Sequence, residues 1–436
     1  MIKPLDSPSQ SNTGAPSNRQ LHWPSALTVL GGILAFWVFL IGSGFFLFSG
    51  LASFLTPGAV ETSEAGMLFS YAAASFVLGL LVFPAVILAV RRLNNRAPTN
   101  GILAARLTRR QIVWLLVVYL MVLMGGILLS NTPRLDWLFM PLLNVLGLSL
   151  PVIFLFWLGA KNLPVSSTQR NWTVFGFSFT ISPLIIVVIE LLVIFTGIIL
   201  VSVLLVFIVP DFPSRIEEFA RMMETAQDTM QLPQEEVASL LQSPLVIGLL
   251  LFFAAGLVPL VEESIKPLGV WLLAGRKLTP QDGWLLGLLS GAGFALIENL
   301  GNLAIGQGWT ALALARGGAT ALHMFNSAII GYTFVLSRQQ KRWWKVILAF
   351  LGTIALHAVW NGIAVMAMVS TFQDLSAAEM GWPIGYLILL GLATTGTIWG
   401  IHRVNKKLVA EAQIENLPEV AAEAVTLIES EKQIND

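Results

Sequence analysis

Ionisable and amide side chains gather in the second half of this chain, inside stretches that are otherwise apolar. Glu262, Glu263 and Lys266 stand together in LVEESIKPLG. Three further stretches contribute Glu298 in GFALIENLGN, His323 in TALHMFN, and His357 with Asn361 in ALHAVWNG. Carboxylates and imidazoles are the side chains that transfer protons or bind catalytic metals near neutral pH.

Two hydrolytic chemistries suit this set, and the residues leave both open. In one, a carboxylate acts as general base on water, with a histidine as its partner and with asparagine and histidine stabilising an oxyanion. In the other, a His/Glu zinc site holds the catalytic water and a second glutamate is the base. Its ligands would come from Glu262, Glu298, His323 and His357. Either route ends in hydrolysis of an amide.

Other protease chemistries lack their residues here. There is no HExxH sequence, which disfavours the zincin type. No Asp falls in a predicted membrane span, and Ser290 in GLLSGAG lacks the GxSG spacing of a serine-type site. The chain has no Cys, which excludes a cysteine nucleophile, thiolate metal sites and disulfides.

Local spacing links several of these residues. Lys266 follows Glu262 by four positions and Glu263 by three, so it could form an ion pair with either acid on one helix face. Pro267 cannot donate a hydrogen bond to the carbonyl of Glu263 and tends to kink a helix there. We therefore expect freed backbone carbonyls beside two carboxylates, an environment that admits water.

The composition indicates where these residues lie. Of the 436 residues, 56% are hydrophobic and only 11% are charged, and the net charge is zero, which excludes an ordinary soluble enzyme and a nucleic-acid binder that uses bulk charge. A spanning helix needs roughly 20 apolar residues. Ten stretches qualify: 26–49, 66–90, 112–130, 138–160, 183–209, 245–273, 284–305, 312–336, 346–369 and 383–401, and residues 173–182 are an alternative earlier start of the fifth. The predicted fold class is all-α, a polytopic transmembrane helix bundle with its catalytic core in the second half.

The polar residues occupy similar depths in four successive spans. A charge at mid-bilayer costs about 2.5–3.5 kcal/mol, so such groups usually face a cavity or a partner. At a rise of about 1.5 Å per residue, His323 and His357 fall near the centres of their spans. The sequence thus predicts one buried polar chamber formed by spans six to nine.

The small-residue stripe Gly283, Gly287, Gly291 and Ala295 predicts a close helix contact there. Glu190 is a lone acid in span five.

Charge and composition also divide the chain. We predict a disordered cytoplasmic tail over 1–25, a four-helix membrane module over 26–170, a protease-like membrane domain over 171–404 with its core at 245–370, and a cytoplasmic tail over 405–436. Most loop Lys and Arg residues fall on the side of the N-terminus, so both termini are predicted to be cytoplasmic. The loop 210–244, with two amphipathic stretches split by Pro233, is predicted to be a surface connector, and the alternative is a lid or substrate-docking element.

The ordered motifs resemble those of the PrsW intramembrane proteases, which are similar to the CAAX-prenyl endopeptidases and bacteriocin-processing membrane proteases. The similarity rests on Glu262-Glu263-x-x-Lys266, Phe294-x-x-x-Glu298-Asn299, His323, and His357-x-x-x-Asn361, one motif per span. It covers about 245–370 and leaves residues 1–170 uncovered. The CAAX branch has a histidine at the position of Glu298.

The resemblance implies a multi-pass plasma-membrane peptidase that cuts a membrane-anchored protein, such as an anti-sigma factor, and starts regulated proteolysis. It matches Glu262 and Glu263 to the paired essential acids, and His323 and His357 to the catalytic histidines. Glu262 and His323 would activate water or hold a metal such as Zn2+, with Glu263 paired to Lys266. The two glutamates could exchange roles, and metal-dependent and glutamate-type mechanisms both remain open.

Residues His357 and Asn361 would then stabilise the oxyanion, and Glu298 would support the reacting residues from behind or add a metal ligand. The alternative from another class is a multi-span transporter or proton relay, because such proteins also carry Glu and His residues at the membrane midplane. That alternative predicts an internal repeat, and the first half of the chain lacks matching polar residues.

Overall fold

The structure is a computed structural model whose described part is almost entirely helical. It describes residues 22–55, 62–96, 107–129, 132, 135–164, 167–214, 216–217, 220–221, 224, 238–239, 241–273, 275–306, 308–371 and 381–415. No strand occurs among these residues. The predicted all-α class is therefore confirmed.

Ten helices in the described part are long and apolar enough to span a membrane. They are α1 (Trp23–Leu55), α2 (Thr62–Leu93), α3 (Arg109–Leu129), α4 (Asp136–Ala160), α5 (Thr168–Ile208), α6 (Pro244–Trp271), α7 (Pro280–Leu300), α8 (Trp309–Gln340), α9 (Trp344–Ser370) and α10 (Gly381–Glu415). Each corresponds to one predicted span. Most extend a few residues beyond the predicted edges, because a helix continues past the hydrocarbon core into polar sequence.

Helix α5 departs furthest from its predicted span, starting at Thr168 instead of residue 183. Its first half is buried in the bundle, with Trp172, Phe175 and Phe179 in the core. Its second half has no buried residue after Ile186. A hydropathy window detects only the strongly apolar second half, whereas packing against other helices stabilises the more polar first half.

Helix α7 lies at the centre of the bundle. All residues from 283 to 296 are buried. Trp284 and Leu288 pack in one hydrophobic cluster with Leu155 of α4 and Phe179 of α5. A helix enclosed on all sides is the element best suited to hold a site away from lipid.

The outer surface of the bundle is apolar. Large exposed side chains include Phe48 on α1, Leu128 on α3, Phe207 on α5, Leu351 on α9 and Leu392 on α10. A soluble monomer does not expose contiguous apolar surface on this scale. Together with the ten apolar helices, this surface makes the chain an integral membrane protein.

The helices from the two halves of the chain pack into one core. The indole nitrogen of Trp284 on α7 donates to the carbonyl of Gly159 at the end of α4, at 2.8 Å. The side-chain amide of Asn405 on α10 donates to the same carbonyl, also at 2.8 Å. The predicted domain boundaries remain predictions. Residues 1–21 and 416–436 of the predicted tails, and most of the connector 210–244, lie outside the described residues.

Candidate active site

The paired acids lie where α6 changes its helical form. The helix is α-helical over Pro244–Leu250, π-helical over Leu251–Leu257 and α-helical again over Val258–Ile265. Lys266 ends that last segment, and a short turn Leu268–Trp271 follows Pro267. π-Helical turns are rare and are frequently found at functional sites. The predicted kink at Pro267 is confirmed.

A serine pair secures this break in α6. The hydroxyl of Ser290 on α7 donates to the main-chain carbonyl of Lys266. The hydroxyl of Ser178 on α5 lies 2.8 Å from that of Ser290, and both serines are fully buried. Three helices are thereby joined directly behind the acids.

The Lys266 ammonium is the centre of the cluster. Its Nζ lies 2.6 Å from Glu262 Oε2 and 3.0 Å from Glu263 Oε1. It also lies 2.8 Å from Nδ1 of His323 and 4.3 Å from the ring centroid of Phe294. Lys266 is fully buried. The predicted pairing of Lys266 is confirmed with both acids.

Glu263 orients the second histidine. Its Oε1 lies 2.9 Å from Nδ1 of His357 and 3.4 Å from the side-chain nitrogen of Asn326. An ionised carboxylate only accepts hydrogen bonds, so this contact places a proton on Nδ1 of His357. The Nε2 atom of His357 lies 3.8 Å from Glu262 Oε2. That separation leaves room for a small shared species between imidazole and carboxylate.

His323 has a polar partner on each ring nitrogen. Its Nε2 lies 2.6 Å from Glu298 Oε2, opposite the contact between Nδ1 and Lys266. The same oxygen of Glu298 lies 3.1 Å from a guanidinium nitrogen of Arg316. The imidazole of His323 meets that of His357 edge-on, with ring centroids 5.1 Å apart.

Close packing of α7 on α8 brings His323 to the cluster. A Cβ atom at Gly291 would overlap the carbonyl of His323, and one at Gly287 would overlap the carbonyl of Ser327. Gly283 faces Gly331 in the same way. The predicted small-residue contact is confirmed, and its consequence is that α8 lies close enough for His323 to reach α6.

The arrangement contains a set of donors suited to a divalent metal. One ligand atom each of Glu262, His323 and His357 lies within 4.8 Å of the others, and all three residues are buried. One carboxylate with two imidazoles is a ligand set used by catalytic zinc enzymes. Glu263 on Nδ1 of His357 supplies the outer carboxylate that commonly orients a metal-binding histidine. The donor set therefore fits a metal. The Lys266 ammonium lies against the carboxylate of Glu262, which belongs to this set.

Two predicted polar residues lie at the margin of the cluster. The side-chain nitrogen of Asn361 donates to the carbonyl of Ala254 in the π-helical turn, at 2.8 Å. Glu190 on α5 is half-buried, and its Oε1 has no hydrogen-bond partner among the described residues. Neither side chain contacts the Lys266 ammonium directly in the hydrogen bonds and ion pairs of the described part.

Four residues without a role predicted from the sequence support the site. Arg316 on α8 contacts Glu298, and Asn299 on α7 holds Arg316 by accepting from its Nε at 2.6 Å. Asn326 and Ser290 fix Glu263 and the carbonyl of Lys266. Their signal in the sequence is their polarity within apolar helices, but that signal does not name a partner.

The fold and the cluster define a class: an integral membrane hydrolase whose acids and imidazoles share one buried site. Residues 191–392 match the PrsW-protease family, described as PrsW family intramembrane metalloprotease. This segment is similar to that family, which confirms the resemblance seen in the motifs and identifies the chain as an intramembrane protease. No curated protein and no solved structure matches the chain. Helices α1–α4 precede the matched segment.

Proposed function

We propose that the chain hydrolyses a peptide bond of a membrane-anchored protein, with Glu262, His323 and His357 acting on the attacking water. The supporting observation is the convergence of these side chains from α6, α8 and α9 within 4.8 Å. Residues on three spanning helices meet only where tertiary packing brings them together. A buried acid and two imidazoles in one place can take a proton from water and return it to a leaving amine.

Glu262 and His357 face each other across the proposed water position. Their nearest side-chain atoms are 3.8 Å apart, too far for a hydrogen bond and suitable for a shared water or ion. Glu262 is the proposed base, because its carboxylate is at the edge of the cluster with 6% of its surface exposed, whereas Glu263 is fully enclosed. Glu263 and Lys266 are proposed to orient His357 and to balance the charge of the acids.

His357 and Asn361 are the proposed stabilisers of the tetrahedral oxyanion. His323 is held next to Glu298, whose Oε2 lies 2.6 Å from Nε2. One amide hydrogen of Asn361 is engaged by Ala254, and the second is the donor available to substrate. Donors fixed before the reaction stabilise developing charge without a cost of reorganisation.

A metal would be held by Glu262, His323 and His357, and we propose Zn2+ with Glu298 as a further ligand. A bound zinc ion polarises a carbonyl and favours the hydroxide form of water. The roles proposed for Glu263, Lys266 and Arg316 are the same with or without a bound metal. Glu263 fixes the tautomer of His357, and Lys266 and Arg316 keep three neighbouring carboxylates from repelling one another.

The substrate, membrane and orientation complete the proposal. A site enclosed by spanning helices acts on a membrane-anchored protein, and we propose an anti-sigma-factor-like protein as that substrate. We also propose that the chain lies in the plasma membrane with both termini in the cytoplasm, since basic loop residues favour that side. The module boundaries at residues 26, 171 and 405 belong to the same proposal.

The direct test is cleavage of single-span membrane proteins by the purified chain. Glu262→Ala, His323→Ala and His357→Ala should each lower the cleavage rate at least a hundredfold while the protein remains inserted. His402→Ala is the matched control, because His402 on α10 is exposed. Full activity in all three site variants would contradict the proposal.

A further inference from the structure

One tryptophan of the protease segment is inserted between two helices that precede it. Trp309, the first residue of α8, is 3% exposed. A Cβ atom at Gly126 of α3 would overlap its ring, and one at Gly147 of α4 would lie 3.5 Å from it. Its indole nitrogen donates to Oδ1 of Asn144 at 2.8 Å, and Nδ2 of Asn144 donates to the carbonyl of Ala304 at 3.1 Å. Helix α4 is thus bonded to the start of α8 and to the connection before it.

A small cleft with about 20 Å³ of enclosed space, enough for about one water molecule, lies beside this junction. Its walls come from α4, from the connection between α7 and α8, and from α8. The lining residues that matter here are Asn144, Gly147, Asn302, Ala313 and Arg316. Asn302 is exposed, so the cleft opens at the end of the bundle that carries this connection.

The inner end of the cleft is part of the active-site hydrogen-bond network. Arg316 lines it, and a guanidinium nitrogen of Arg316 lies 3.1 Å from the oxygen of Glu298 that also contacts His323. The side chain of Arg316 is 14% exposed and that of Glu298 is 28% exposed. Charged groups with partial exposure inside a spanning bundle face a hydrated space, since contact with hydrocarbon is costly.

We propose that this cleft is a water-filled vestibule that connects the bundle end at Asn302 to the Glu298–Arg316 pair, and that α4 forms its outer wall. Hydrolysis consumes one water per peptide bond, so a site within lipid needs such a route; this part of the argument rests on the proposed function. The helices before the family segment thereby have a role in the site itself. Trp309 fixes the wall in place.

The absence of native cysteine allows a direct test of accessibility. Single-cysteine variants of the full-length chain, in permeabilised membranes, are treated with a positively charged methanethiosulfonate reagent. Ala313→Cys should react at least tenfold faster than Leu314→Cys. Leu314 is the next residue on the same helix and is 52% exposed on the apolar surface, so it serves as a control for a lipid-facing side chain at equal depth. Asn302→Cys marks the rate at the exposed mouth.

A second variant tests the wall supplied by α4. Gly147→Phe should fill the vestibule and slow the labelling of Ala313→Cys at least tenfold, whereas Leu142→Phe should not, because Leu142 is 57% exposed on the outside of α4. Equal labelling of Ala313→Cys and Leu314→Cys would overturn the vestibule, as would labelling that Gly147→Phe leaves unchanged. The readout does not depend on cleavage. A chain with the expected labelling and no peptidase activity would refute the proposed function and leave the vestibule standing.

Discussion

The Nζ atom of Lys266 lies 2.8 Å from Nδ1 of His323, although the two residues are 57 positions apart in the sequence. An ammonium only donates hydrogen bonds, so Nδ1 of a neutral His323 accepts and its proton resides on Nε2. Nε2 faces Glu298, whose Oε2 atom lies 2.6 Å away. One lysine therefore determines the tautomer of a histidine on another helix.

The two neighbouring glutamates should respond differently to neutralisation. Glu262→Gln and Glu263→Gln should each lower the cleavage rate at least a hundredfold. Both changes remove a partner of the buried Lys266, but Glu263→Gln should reduce stability more, by about 3–5 kcal/mol, because Glu263 is fully enclosed and also holds His357. The new amide would also present a donor to His357 or Lys266, where the native oxygen accepts from both.

Thermal unfolding in detergent, measured alongside cleavage, separates these effects. Glu411→Gln on α10 is a suitable control, since that carboxylate is 44% exposed and pairs only with Lys407 among the described ion pairs. A Glu263→Gln protein as stable as the control and fully active would show that Glu263 does not orient His357.

Metal content should depend on the three converging donors. Elemental analysis of the purified chain should find about one divalent ion per molecule if the family's metal chemistry operates through Glu262, His323 and His357. Single alanine variants at these positions should lose most of it, because each removes one ligand. A chelator should abolish cleavage, and added zinc should restore it. Metal-free protein that cleaves at the normal rate would instead favour the glutamate-type mechanism.

Ser290→Ala should weaken the fold more than the reaction. The change removes the hydrogen bond to the carbonyl of Lys266 and leaves that buried acceptor unpaired, at a cost of about 1–3 kcal/mol. Cleavage should fall less than tenfold, because the Ser290 hydroxyl is already used in a hydrogen bond to the main chain. Ser178→Ala should have a smaller effect on thermal unfolding, since Ser178 contacts only the far side of Ser290 through its hydroxyl. Complete loss of cleavage in a folded Ser290→Ala protein would point to a serine nucleophile.

Gly287→Leu should prevent the close approach of α7 and α8. The added side chain would overlap the backbone at Ser327 and Ala328, so the helices must separate and His323 must leave the cluster. We expect little folded protein and no cleavage, assessed by size-exclusion chromatography and by the activity assay. Gly391→Leu on α10 is the control, because nothing lies within 4 Å of a Cβ atom there. Normal folding of Gly287→Leu would refute the role of the glycine stripe.

The amino-acid sequence alone determined the membrane class, the ten spans, and the identity and order of the acidic and histidine motifs. Hydropathy is a local property, and spacing on one helix predicts neighbours such as Glu262 and Lys266, so these features need no tertiary information. Hydropathy left the start of α5 between residues 173 and 183, and the actual start at Thr168 depends on packing of the first half of that helix.

The tertiary structure decided which polar residues act together. The decisive contacts all join different helices. His323 contacts Lys266 and Glu298, Arg316 forms an ion pair with Glu298, and Trp309 packs beside Asn144. Nothing in the local sequence encodes these pairs. They depend on the burial of α7 in the bundle, on the close contact between its glycines and α8, and on the position of the π-helical turn in α6. Each of these is determined by side-chain packing across the whole molecule.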